Sequence, residues 1–64
     1  MREFQIYEHG RVLVAWIVAE SHAEAAAKHF ANNPKVNLID IGRKGTGPEW
    51  RFRRNGTPEK LRQR

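Results

Sequence analysis

The sequence predicts a small α+β domain, a four-stranded and largely antiparallel sheet with one helix packed on one face, in the order β-β-α-β-β. Three observations predict it. Residues 12–18, Val-Leu-Val-Ala-Trp-Ile-Val, form a β-branched and aromatic run that reads as the main strand. Ser21-His22-Ala23-Glu24 then opens an alanine-rich stretch with helical spacing. Residues 49–54 alternate aromatic and arginine side chains with a period of two, which suits a strand.

Residues 2–8 read as the first strand, with Phe4 and Ile6 on one face and Glu3, Gln5 and Tyr7 on the other. His9-Gly10 suits a two-residue hairpin loop, because Gly takes positive φ freely and His visits it more readily than most residues. In the second strand Val12, Val14, Trp16 and Val18 face one way and Leu13, Ala15 and Ile17 the other. Both faces are apolar, so both need cover.

Ser21 is placed to cap a helix, its hydroxyl accepting from the Glu24 amide while Glu24 reaches back to the amide of Ser21. Ala23, Ala26, Ala27, Phe30 and Ala31 fall on one helical stripe. Glu24 and Lys28 form an i,i+4 pair in the favourable order, and Asn32-Asn33-Pro34 stops the helix. A third strand is expected over residues 35–41, where adjacent Leu38 and Ile39 break the alternation and suggest a bulge or a partly two-sided strand. It lies either parallel to the second strand or antiparallel beside the first. Residues 42–48 are a glycine-rich loop, and residues 49–54 are the fourth strand, Trp50 and Phe52 on one face and Arg51 and Arg53 on the other. Asn55-Gly56 is a turn signal. The domain is expected to span residues 1–56. A basic tail, residues 57–64, follows as a short helix begun by Thr57-Pro58-Glu59 or as a disordered segment.

A chain of 64 residues builds one domain with a small core. The sequence has no cysteine, so neither disulfides nor thiolate metal sites are available. Its longest apolar run is far short of the roughly 20 residues that span a bilayer, and the N-terminus lacks the pattern of a signal peptide. The expected location is the cytoplasm of a bacterial cell or infected host, and the small size suits a phage or mobile-element product. No membrane contact is expected.

The net charge of +5 is unevenly placed. Residues 1–42 carry −1, whereas residues 43–64 carry +6. Such asymmetry points to nucleic acid (DNA or RNA), an anionic membrane surface or an acidic protein, and of these the nucleic acid and the acidic protein are the partners expected. The first expectation is therefore a small nucleic-acid-binding accessory protein with little sequence specificity. Arg43, Lys44, Arg51, Arg53 and Arg54 would contact phosphates, and Trp50 would stack on bases. Trp50 and Phe52 have a competing use in the core of so small a domain. Gly42-Arg43-Lys44-Gly45 resembles the G-x-x-G loop with which KH domains clamp a nucleic-acid backbone, although the likeness ends with those four residues.

The alternative is a protein-interaction module or inhibitor with a basic face and an apolar sheet surface, its partner an acidic protein or a second copy in a homodimer. No catalytic constellation, small-molecule substrate, cofactor or metal is expected. His22 and His29 stand seven apart, too far along a helix to share one ion, and all three histidines are expected at the surface.

Overall fold

The computed structural model describes residues 1–9 and 11–61. Its elements are β1 (Arg2–Glu8), β2 (Val12–Ala19), α1 (His22–Asn32), β3 (Leu38–Arg43), β4 (Trp50–Arg53) and β5 (Glu59–Lys60). The strands form one sheet in the order β2-β1-β3-β4-β5, every neighbouring pair antiparallel. Helix α1 joins β2 to β3 across one face. Of the two positions open to the third strand, it takes the one beside β1. No helix of the described residues is long and apolar enough to cross a membrane.

The core lies between the helix and the two central strands. Phe4 and Ile6 of β1 and Ile39 and Ile41 of β3 are fully buried there, joined by Ala19, Ala25, Ala26, Phe30 and Phe52. Burying each large side chain contributes about 1.5–3 kcal/mol. Trp50 packs against the same cluster, its ring 6.5 Å from that of Phe52, so both β4 aromatics belong to the helix-covered side.

The expected hairpin forms with His9 at φ 54°, but Glu8 pairs with Val12, so three residues rather than the expected two separate the strands. The Ser21 hydroxyl accepts from the Glu24 amide at 3.1 Å, but the Glu24 carboxylate accepts from the amide of Glu20, one residue before the expected Ser21. The buried stripe of the helix is Ala25, Ala26, His29 and Phe30: Ala26 and Phe30 are buried as expected, whereas Ala23, Ala27 and Ala31 are exposed. Alanine occurs on every side of this helix and so does not choose a face. Phe30 does, together with His29, whose buried ring is fully partnered. His29 donates from Nε2 to Glu8 Oε2 at 3.1 Å, while the Asn33 amide donates to its Nδ1 at 3.4 Å. Fully bonded polar atoms make burial tolerable, and the expectation of a surface histidine fails here for that reason.

Strand β3 starts and ends later than expected, and it is buried on both faces over residues 39–42 with no bulge in its pairings. Pro34 and Lys35 form a turn closed by the Val36 amide, which donates to the Asn33 carbonyl at 3.0 Å. At its other end β3 takes in Gly42 and Arg43, so half of the G-x-x-G motif is strand. Gly42 is required by close approach, because a Cβ there would sit 1.7 Å from the carbonyl oxygen of Gly47 in the loop folded over it. We expect Gly42→Ala to push that loop away and to cost about 1–3 kcal/mol, the range of a forced overpacking. A lower urea midpoint with an unchanged slope would show it.

A fifth strand is the main addition to the expected sheet. Glu59 and Lys60, expected in a helical or disordered tail, pair with Arg51 and Trp50, and the Leu61 amide donates to the Glu49 carbonyl at 2.9 Å. The pairing follows the turn at residues 54–56, where Asn55-Gly56 gave the turn signal, while Glu-Lys itself carries no strand signal. The rest of the expected tail, residues 62–64, lies outside the described residues.

Candidate interaction surface on the outer strand

One sheet face is covered by α1 and the other is open. Strand β2 sits at the sheet edge, and the two faces meet very different surroundings along it. Ala15, Ile17 and Ala19 turn to the core. Leu13, Trp16 and Val18 lie on the open side, between 43% and 57% exposed. The register shifts between Leu13 and Ala15: Ile6 pairs with Ala15 and Tyr7 with Leu13, leaving Val14 as an extra residue that is 44% exposed. A bulge of this kind twists the edge.

The strip is one strand wide. Across β1 its neighbours are Glu3, Gln5 and Tyr7, opposite Val18, Trp16 and Leu13 respectively. They are polar and hold one another, the Tyr7 hydroxyl donating to Gln5 Oε1 at 2.9 Å. Lys44 reaches from the loop after β3 to place Nζ 6.0 Å from the centre of the Trp16 ring, within cation–π range. Residues 12–19 contain no charge, no proline and no glycine. These are the usual devices that keep an edge strand from pairing with another chain. One guard comes from the helix, where Lys28 Nζ donates to the Val18 carbonyl at 2.9 Å.

The six residues expected to contact nucleic acid are not gathered into one patch. Arg43 is exposed, with its guanidinium 3.5 Å from Glu49. Lys44 is exposed beside Trp16. Trp50 is half-buried on the helix side, next to the His22 ring. Arg51 grips both oxygens of Asp40, at 2.9 and 3.3 Å, and that pairing raises its already high pKa. Arg53 is exposed, with Glu59 at 3.4 Å. Arg54 turns back under the helix end and donates to the carbonyls of Phe30, Asn33 and Val36.

Two further polar features belong to the architecture. Glu49 Oε1 accepts from His22 Nε2 at 3.1 Å and from the Arg43 amide at 3.3 Å, tying the helix start to the sheet. Burial alone would raise its pKa, but the bonds from His22 and Arg43 and the Arg43 charge outweigh that, and the net shift is downward from 4.5. A lowered folded-state pKa means stability that is present above the unfolded value and lost as pH falls through the folded one. We therefore expect Glu49→Gln to be less stable than the wild type at neutral pH, with the gap closing as the pH falls below about 4.5. Thermal melts of both proteins across that range measure it. The second feature is an open cleft of about 380 Å³ near the β1–β2 turn, lined among others by Tyr7, His9, Lys35 and Asn37. Of its charged groups, Asp40 and Arg51 hold each other, Glu8 is bonded to His29, and Lys35 is exposed. Among the described residues no group of three or more His, Asp or Glu is placed to hold a metal ion.

The fold and this surface define a class, a small antiparallel α+β domain with an exposed apolar edge strand. No known protein family, curated protein or solved structure matches the chain.

Proposed function

We propose that the protein is a protein-interaction module that works through β2 and the apolar side chains this strand exposes. The observation that carries the reading is the concentration of exposed Val12, Leu13, Val14, Trp16 and Val18 on one uncharged edge strand. A contiguous apolar strip of this kind is costly to leave in water and marks an interaction site. Its backbone adds main-chain donors and acceptors that another chain can pair with.

The test places a photo-crosslinking amino acid at position 14 or 16 in the producing cell, with position 27 on the exposed helix side as control. Protein adducts from β2 and none from the helix are expected. Nucleic-acid adducts, or none, from β2 would overturn the reading.

A second reading, phosphate contact, is favoured by the exposure of Arg43 and Arg53, 54% and 49% at the side chain. It predicts DNA or RNA binding that weakens steeply with salt. Both arginines already have acidic neighbours, and for that reason we place it second.

A further inference from the structure

We propose that the occupant of β2 is a second copy of this chain, paired antiparallel through a two-fold axis at Trp16, with Arg11 of each copy facing Glu20 of the other. The proposal rests on the reading of β2 as the interaction surface and adds partner, direction and register.

The ends of the strand carry the argument. Residues 12–19 are uncharged, and they are bracketed by one cation, Arg11, and one anion, Glu20. Both are exposed, and among the described residues neither has an ion-pair partner. In an antiparallel pair of identical strands the start of one lies beside the end of the other, so the two charges meet twice by symmetry. A parallel pair would set Arg11 against Arg11 and Glu20 against Glu20.

The bulge fixes which registers are possible. Directly opposed residues in an antiparallel pair point to the same face. On β2 the open-face residues are Leu13 before the bulge and Trp16 and Val18 after it, so the parity changes at Val14. Setting Trp16 opposite Trp16 of the second copy places Ala15 opposite Ile17. Skipping the bulged Val14 then sets Leu13 opposite Val18, Val12 opposite Ala19 and Arg11 opposite Glu20. Every pair matches open face to open face or covered face to covered face, and the only charges that meet are of opposite sign.

The shape of the apolar strip agrees. It is one strand wide and bordered by the polar row of β1, too narrow for face-to-face stacking of two sheets. A second β2 alongside doubles its width and covers the outer flank of each Trp16. The Lys28 side chain, which caps the Val18 carbonyl, is exposed and swings aside. Two copies carrying +5 each repel at long range, and salt screens both that repulsion and the two exposed Arg11–Glu20 pairs, so the dimer should depend only weakly on salt. Phosphate contact weakens steeply with salt.

Light-scattering mass across protein concentration, with circular dichroism to confirm folding, tests the proposal. The wild type should move from 7.5 kDa toward twice that mass as concentration rises. Arg11→Glu and Glu20→Arg should each dimerise at least about tenfold more weakly, because each sets like charges opposite one another twice. An equimolar mixture of the two variants, and the double variant, should recover the dimer. Trp16→Lys should remain monomeric and folded. A wild type that stays at 7.5 kDa to millimolar concentration would exclude the second copy, while β2 crosslinks to another protein would still support the interaction module. A dimer indifferent to the charge swaps would overturn the antiparallel register. Mass that rises only with added oligonucleotide would overturn the proposal in favour of phosphate contact.

Discussion

Arg54→Met should destabilise the domain by about 2–4 kcal/mol, since hydrogen bonds to a charged group contribute roughly 1.5–3 kcal/mol and several are lost together. The Arg54 guanidinium donates to the carbonyls of Phe30, Asn33 and Val36 at 3.3, 2.8 and 2.6 Å, and it lies 4.9 Å from the Phe30 ring centre. These carbonyls belong to the helix end and the turn after it, and those of Phe30 and Asn33 also accept from the Asn33 and Val36 amides, at 3.3 and 3.0 Å. One side chain thus satisfies the end of α1 and fastens it to the end of β4. A domain of this size holds only roughly 3–10 kcal/mol in total, so the variant should be partly unfolded in water. Arg54→Lys should recover only part of the loss, because a single ammonium cannot reproduce the planar fork. The control is the exposed neighbour, Arg53→Met, expected to cost less than about 1 kcal/mol. Urea denaturation of the three variants decides it, and equal losses at 53 and 54 would refute the assignment.

Arg51→Met should cost a similar amount, about 2–4 kcal/mol, for a different reason. Asp40 is only 5% exposed, and Arg51 is its bidentate partner. Removing one member of such a pair leaves an uncompensated buried charge, with a usual cost of about 3–5 kcal/mol. The figure is reduced here because the Arg51 side chain is 32% exposed and water reaches the site. The double variant Asp40→Leu with Arg51→Met removes both charges. It should regain most of the loss, since replacing a buried pair by apolar groups is often neutral. A double-mutant cycle measures the coupling, and a double variant no better than Arg51→Met would show that the pair is not what matters.

The three clustered arginines of β4 and its end show how far a charge run can be read from sequence. Arg51, Arg53 and Arg54 look equivalent as a basic stretch. In the fold one closes on a buried aspartate, one lies exposed beside Glu59, and one caps a helix. Their partners are distant in sequence, Asp40 at one position and Phe30, Asn33 and Val36 at others. No local pattern pairs them. The same holds for His29, whose Glu8 partner is 21 residues away.

Local rules did settle much of the frame. Alternation placed Phe4 and Ile6 on the buried side of β1, and the Ser21 cap started α1 where the pattern S-x-x-E said it would. The doubly apolar character of residues 12–18 already posed the question of what covers their second face. The order of elements follows from such short-range signals, because periodicity, caps and turn residues act over a few positions.

Strand order, the helix face that is buried and the fates of Arg51 and Arg54 were decided only by the tertiary structure, because each depends on which distant segments meet. The open flank of β2 belongs to both accounts. Its uncharged apolar sequence is visible in the chain. That it lies at the sheet edge, with Trp16 exposed and Arg11 and Glu20 at its ends without ion-pair partners among the described residues, follows from β3 pairing with β1 and leaving β2 outside.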